Sequence, residues 1–132
     1  MANEALERIL YIEDNADIRL LARMALERLG KFTVRACSSG REALQAAGEP
    51  DYRPDLILLD VMMPDLDGPA TVAQLRGLPN TAAVPFIFMT AKSDPSEIAG
   101  YRALGALGVI AKPFDPRRLV PEIRRLWEGR HE

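Results

Sequence analysis

Short apolar segments alternate with amphipathic segments along the whole chain, and this alternation constrains the fold more than any other feature. Each of five strand-length segments is followed by a pattern with helical spacing. The strand segments are 9–12, 32–36, 56–59, 85–89 and 108–111. Strands that alternate with helices pair in parallel through right-handed crossovers. The sequence therefore predicts an α/β fold, a doubly wound five-stranded parallel sheet with helices on both faces.

The helical segments have recognisable start and stop residues. Apolar residues at i, i+3, i+4 and i+7 predict a first helix from Asp17 to Leu29, and Gly30 offers its stop. The other predicted helices cover 41–47, 69–76, 95–104 and 116–127, and Ser39 is a candidate cap for the second. Gly100 costs the fourth helix about 1 kcal/mol relative to alanine. We therefore expect the fourth helix to be the most mobile.

Carboxylates follow two of the strand segments. Asp60 ends the apolar run 56–59, and Glu13 and Asp14 follow the run 9–12. In parallel α/β sheets, ligands bind just outside the carboxyl ends of the strands, so these three side chains would converge on one edge. Unit charges about 4 to 6 Å apart repel by roughly 3 to 4 kcal/mol in a partly buried site. Such a cluster calls for a cation, and an all-oxygen donor set favours magnesium.

Two further strand segments end in groups that bind phosphate. Thr90 follows the fourth segment and can donate a hydroxyl hydrogen bond. Lys112 follows the fifth segment and carries a flexible point charge that pairs with phosphate. The four strand ends together predict a site for a metal ion and a phosphoryl group.

With these residues, the chain resembles the receiver domain of two-component response regulators. The resemblance extends from Ile9 to Trp127 and rests on four motifs in the order of that family: Glu13-Asp14, Asp60 with the stretch Met62-Met63-Pro64-Asp65-Leu66-Asp67-Gly68, Thr90-Ala91, and Lys112-Pro113-Phe114. It implies the flavodoxin-like strand order 2-1-3-4-5, in which the first and third strands are neighbours. We expect a single receiver domain over residues 1–132, with its core at about 8–128.

The resemblance also implies a role for each residue. Asp60 is the implied acceptor of a phosphoryl group from a histidine kinase or a phosphotransfer protein. Magnesium is the implied cofactor, and its implied ligands are Asp14, Asp60, the backbone carbonyl of Met62 and, through water, Glu13. Thr90 and Lys112 are the implied readers of the phosphoryl group. A downstream protein partner would bind the face formed by helix 4, strand 5 and helix 5.

One position departs from the family pattern. Many receivers carry Tyr or Phe three residues before the strand-five lysine, where the ring swings inward on activation, and this chain has Val109. A rotating aromatic ring at that position cannot report the switch here. Met62 and Lys92 occupy two positions that affect the lifetime of the phosphorylated state in the family. We hypothesise that the apolar Met62 hinders the attacking water.

Two other functions fit part of the sequence. A magnesium-dependent aspartyl-phosphate phosphatase usually needs an acid two residues after its nucleophile, where this chain has Met62. A phosphorylation-independent adaptor would keep its function without Asp60. The resemblance to receivers instead predicts a regulatory domain that is not an enzyme, although it catalyses its own phosphorylation and dephosphorylation. The basic last helix is either a solvated face or a docking surface, and its arginines are Arg117, Arg118, Arg124 and Arg125.

Composition limits the partners and the location. The 17 basic and 19 acidic side chains give a formal net charge of −2, so we expect no nucleic-acid binding by this chain alone. Cys37 is the only cysteine, which excludes an intrachain disulfide. No apolar stretch approaches the roughly 18 residues of a membrane span, and the start lacks a cationic signal-peptide opening. A cytoplasmic chain without a separate output domain is the expectation, and a truncated longer regulator is the alternative.

Overall fold

The computed structural model of the protein describes residues 5–131, and this part of the chain contains one parallel sheet. Its strands are β1 (Arg8–Ile12), β2 (Thr33–Cys37), β3 (Leu56–Asp60), β4 (Phe86–Thr90) and β5 (Val109–Ala111). The strand order is β2-β1-β3-β4-β5, and every neighbouring pair is parallel. The predicted fold class and strand order are therefore confirmed.

Each predicted helix is present, and its ends lie within one residue of the predicted ends. The helices are α1 (Ala16–Arg28), α2 (Gly40–Ala47), α3 (Gly68–Leu75), α4 (Pro95–Ala103) and α5 (Pro116–Glu128). The small differences arise from capping. The Asn15 side chain accepts the Ile18 N–H at 3.0 Å, so α1 begins at Ala16. Within residues 5–131, no helix is both long and apolar enough to cross a bilayer.

Each face of the sheet has its own hydrophobic core. On one face, side chains of the strands pack against α1 and α5, and this core includes Tyr11, Leu58, Met89, Ile110, Leu26 and Ile123. On the other face they pack against α2 and α3, and that core includes Ile12, Leu59, Phe88, Ala43 and Val72. Both cores are almost fully buried, so the sheet is a rigid support for the residues at its edge.

The alternation of side chains along a strand decides which strand-end residues meet. Residues two positions apart lie on the same face of a sheet. Three core residues of the α1/α5 face are followed two positions later by charged residues: Tyr11 by Glu13, Leu58 by Asp60, and Ile110 by Lys112. These charged side chains therefore share one face at the carboxyl edge of the sheet.

The helix α4 is held less firmly than the others. It contributes no fully buried residue, whereas α1 buries Ala22, Ala25 and Leu26. Few buried apolar contacts lower the free energy of local opening. We expect backbone amides of α4 to exchange with solvent deuterium faster than those of α1, measured by mass spectrometry of the native protein. Equal protection of the two helices would contradict this prediction.

Candidate functional site

Three carboxylates meet at the carboxyl edge of the sheet. Glu13 and Asp14 follow β1, Asp60 ends β3, and these two strands are neighbours. One oxygen from each side chain lies within 4.8 Å of the others. Glu13 is 1% exposed and Asp60 is 5% exposed, whereas Asp14 faces solvent. The structure thus brings together the three acids that the sequence pattern singled out.

Lys112 crosses the sheet edge and connects two of these acids. Its Nζ atom donates hydrogen bonds to Asp60 Oδ2 at 2.9 Å and to Glu13 Oε1 at 3.0 Å. The Lys112 N–H group donates to the Thr90 carbonyl oxygen at 2.9 Å, which ties the start of the following loop to β4. The ammonium group therefore bridges two nearly buried carboxylates. From this position it could also pair with an anionic group attached to Asp60.

Burial and pairing shift the charges of this cluster. Burial raises the pKa of Glu13, and hydrogen bonds from Lys112 and from the Asn15 N–H group oppose that shift without cancelling it. Burial lowers the pKa of Lys112, but its hydrogen bonds to Asp60 and Glu13 outweigh burial and raise it overall. With all groups ionised, three carboxylates and one ammonium leave a formal charge of −2. One divalent cation balances that charge, and the all-oxygen donor set fits a hard ion.

The backbone after β3 wraps closely around Asp60. The Met62 N–H group donates to Asp60 Oδ1 at 3.3 Å, which holds this part of the chain beside the carboxylate. The chain then returns at Gly68, whose N–H group donates to the Val61 carbonyl oxygen at 2.8 Å. A Cβ atom on Gly68 would lie 2.6 Å from the Asp60 carbonyl oxygen, so a side chain there would force the backbone apart. The motif glycine is needed for this close approach.

Thr90 ends β4 at the same edge and is buried. Its hydroxyl oxygen accepts the Lys92 N–H at 3.0 Å and so holds the loop after β4. The hydroxyl also lies near the Tyr101 side chain on α4. Burial raises the pKa of Tyr101, the nearby Glu97 carboxylate adds to that shift, and the Thr90 hydroxyl opposes it. Thr90 therefore links the strand end, the following loop and α4.

Comparisons with known proteins agree with this fold. The family model of the response regulator receiver domain matches residues 9–124. The chain belongs to this family. A receiver domain is a phosphorylation-controlled signalling switch of two-component systems, which is the function class expected from the motifs.

Several relatives of this receiver are longer proteins. The transcriptional regulatory protein ResD of Bacillus subtilis is 39% identical over 120 residues, which cover 90% of this chain and 47% of ResD. The transcriptional regulatory protein SrrA of Staphylococcus aureus is 38% identical over 127 residues, which cover 96% of this chain and 48% of SrrA. The receiver thus spans about half the length of the curated relatives it matches.

A solved structure of similar size supports the same assignment. The chemotaxis protein CheY4 of Vibrio cholerae superposes with a TM-score of 0.81 at 30% identity. The match covers 92% of this receiver and 99% of that chain. The fold is therefore that of a receiver.

Sequence reasoning missed several groups that shape this receiver's site. The Asn15 N–H group donates to Glu13 Oε2 at 3.2 Å, and Arg19 Nη1 donates to the Glu13 carbonyl oxygen at 2.8 Å. Asp67 caps α3 by accepting the Ala70 N–H at 2.9 Å. Asn15 directly follows the acidic pair in the sequence, and this adjacency was the one available signal for it.

Proposed function

We propose that Asp60 accepts the phosphoryl group that controls this receiver. The observation that carries the proposal is the position of its carboxylate, which ends a buried strand between a bridging ammonium and two further acids. An Asp60 oxygen would attack the phosphorus of a phosphohistidine on a histidine kinase or phosphotransfer protein. The P–N bond breaks, the imidazole leaves, and an acyl phosphate forms on Asp60. Labelling with a small acyl phosphate, followed by mapping of the modified residue, tests this assignment.

Magnesium is the cofactor that we propose for this site. Asp14 and Asp60 would ligate it directly, with the backbone carbonyl of Met62, and Glu13 would act through water. An indirect role for Glu13 is supported by its hydrogen bonds, because one of its oxygens accepts from Lys112 and the other from the Asn15 N–H group. When bound, the ion would neutralise charge on the oxygens of the transferring phosphoryl group.

Lys112 and Thr90 are the groups that we propose to detect the phosphoryl group. Lys112 Nζ already lies 2.9 Å from Asp60 Oδ2, so it needs little movement to pair with phosphoryl oxygens. A phosphoryl group adds a charge of about −1.5 to −2 and strong acceptor oxygens. The Thr90 hydroxyl would move toward one of these oxygens to donate a hydrogen bond, and this movement would release the Lys92 N–H that it now accepts. The loop after β4 then has a different set of hydrogen bonds in each state.

The surface formed by α4, β5 and α5 is the proposed docking face for a downstream protein. Its most labile part is α4, where the Tyr101 ring packs edge-on against Phe88 with a centroid separation of 5.2 Å. Since Val109 has no ring, contacts of Thr90 with the loop and with Tyr101 are the available route from the site to this face. A groove of about 790 Å³ between α4 and α5 is rich in arginine, with Arg102, Arg124, Arg125 and Arg130 along its walls. This charge suits an acidic partner segment.

The arginines of α5 are not all equivalent in this proposal. Arg124 Nη2 donates to the Gly30 carbonyl oxygen at 3.1 Å, and its guanidinium stacks over the Phe32 ring. Arg124 therefore also packs α5 against the turn after α1. Arg125 lies 3.9 Å from a Glu122 oxygen on the exposed side of the helix. An exposed pair at that distance contributes little to stability, so Arg125 is the better candidate for a partner contact.

Two competing functions receive less support. A phosphatase of the aspartyl-phosphate type would place an acid two residues after Asp60, and Met62 there is 64% exposed with no acidic group to offer. A phosphorylation-independent adaptor leaves the buried Asp60–Lys112–Glu13 arrangement without a purpose. A regulatory domain that turns over only its own acyl phosphate accounts both for Met62 in place of an acid and for the buried Asp60–Lys112–Glu13 arrangement. Residues 8–128 would form its core as one domain, and a cytoplasmic location fits a partner kinase there.

We expect Met62→Asn to shorten the lifetime of the phosphorylated state several-fold. Met62 follows Asp60 by two positions, and its exposed apolar side chain would offer no hydrogen bond to a water near the acyl phosphate. An asparagine amide can orient that water for attack. Loss of the phosphoryl group after removal of the donor, followed by intact-mass analysis, measures the rate. Met24→Asn on the exposed face of α1 is the matched control, and equal decay of all three proteins would end the hypothesis.

A further inference from the structure

Tyr11 carries a buried hydroxyl group that the site described above does not use. The residue is 0% exposed, and its Oη atom has no hydrogen-bond partner within residues 5–131. Among the described residues only Tyr52 shares this property of a buried side-chain polar atom without a partner. Folding rarely leaves such groups unpaired, because a buried hydroxyl loses its hydrogen bonds to water. An unpaired buried hydroxyl in one state of a switch is available to donate to a partner in another state.

The position of Tyr11 relates this hydroxyl to the acid cluster. Tyr11 lies on β1, and Glu13 directly follows the strand two positions later, so both side chains extend from the same face of the sheet. Leu58, which pairs with Tyr11 in the sheet, precedes Asp60 in the same way. Burial raises the pKa of Tyr11, and the charges of Glu13 and Asp60 raise it further. The phenol therefore lies within the field of the cluster and remains a protonated donor at neutral pH.

Phosphorylation would change the hydrogen bonding of Glu13. In the structure, Lys112 Nζ is shared between Glu13 Oε1 and Asp60 Oδ2. A phosphoryl group on Asp60 adds about 1.5 to 2 negative charges and competes for the same ammonium. Glu13 is 1% exposed, so apart from a water on the metal ion, solvent cannot readily replace a donor that it loses. A protein donor on the same face would stabilise the carboxylate in that state.

We propose that Tyr11 is a positioning residue whose hydroxyl donates to the Glu13 carboxylate when a phosphoryl group on Asp60 draws Lys112 away. The inference rests on the proposed role of Asp60 and assigns to this chain a donor that is engaged only in the phosphorylated state. Tyr11 would then hold Glu13 in place while the acyl phosphate exists. Because the hydroxyl has no hydrogen bond to lose beforehand, the whole free energy of the new bond stabilises the phosphorylated state.

The test compares Tyr11→Phe with Tyr52→Phe, which removes the other unpaired buried hydroxyl. Tyr52 packs against the opposite core. Burial raises its pKa, and the nearby groups that also affect it include Cys37, Arg35 and Glu49 rather than the acid cluster. Beryllium fluoride with magnesium serves as a stable substitute for the phosphoryl group, and its binding is followed by titration. We expect Tyr11→Phe to weaken binding on the order of tenfold, the effect of losing one hydrogen bond to a charged group. Tyr52→Phe should bind as wild type does.

Thermal unfolding without beryllium fluoride is the second measurement. Tyr11→Phe should unfold at the same temperature as wild type or higher, because the hydroxyl it lacks is unpaired in that state. A double-mutant cycle with Glu13→Gln should reduce the effect of Tyr11→Phe on binding. Wild-type binding by Tyr11→Phe, or equal weakening in Tyr11→Phe and Tyr52→Phe, would overturn the inference and leave the role of Asp60 intact. Failure of the wild-type protein to bind beryllium fluoride would overturn both.

Discussion

Replacing Asp60 with asparagine should abolish phosphorylation of this receiver. The amide keeps the size of the side chain but lacks the anionic oxygen that attacks phosphorus. Incubation with a small acyl phosphate and magnesium should add the mass of one phosphoryl group to the wild-type protein and none to Asp60→Asn. Intact-mass analysis of both proteins after the same incubation measures the difference, which should be complete within detection.

Asp65→Asn is the matched control for that experiment. Asp65 lies five residues after Asp60 in the same connecting segment, but its exposed carboxylate accepts a hydrogen bond from Arg41 on α2. It should take up one phosphoryl group as the wild type does. Asp67 is unsuitable as a control because its side chain caps α3. Label on Asp60→Asn at the wild-type level would refute the assignment of the acceptor, and loss of label in Asp65→Asn would point to a general effect on the loop.

Local sequence patterns predicted the elements of the fold well because each strand and helix has a local cause. The apolar run 56–59 needs burial on both faces, and the caps Asn15, Ser39 and Asp67 start helices where polar side chains can accept N–H groups. Strand neighbours have no such local cause. The adjacency of β1 and β3 came from resemblance to a family, since strand spacing along the chain is the same for several strand orders.

The site shows the same division between local and long-range causes. The convergence of Glu13, Asp14 and Asp60 follows once strand order is known, because parallel strands end at one edge. The pairing of Lys112 with Glu13 joins residues 99 positions apart and depends on how far a lysine reaches over the sheet. The unpaired hydroxyl of Tyr11 could not be predicted, because in an apolar strand pattern a tyrosine is indistinguishable from an ordinary core residue. Sequence patterns therefore do not predict the contacts that long side chains make across neighbouring strands.

Lys112→Met should destabilise the protein in the absence of divalent cations by about 3 kcal/mol. The substitution keeps a long apolar side chain but removes the ammonium from two carboxylates that are 1% and 5% exposed. Removing one partner of a buried ion pair typically costs about 3 to 5 kcal/mol, and the position of this site at the sheet edge favours the lower end. Urea unfolding of both proteins at neutral pH in a chelating buffer measures the change. Lys92→Ala, at an exposed lysine two residues after Thr90, should stay within about 0.5 kcal/mol of wild type.

Magnesium and acidic pH should each reduce the stability that Lys112→Met loses relative to wild type. A cation that binds only the folded protein adds about 2.7 kcal/mol at 100 times its Kd, and it replaces part of the lost positive charge. Burial raises the pKa of Glu13 even in the wild type. A carboxyl group with a raised pKa in the folded state favours folding at low pH, and that contribution is lost as pH rises through the raised value. Because Lys112 opposes the shift, the variant should lose more stability than wild type between acidic and neutral pH. A deficit that is independent of both magnesium and pH would mean that Lys112 stabilises the fold by packing and does not compensate the charge of the acid cluster.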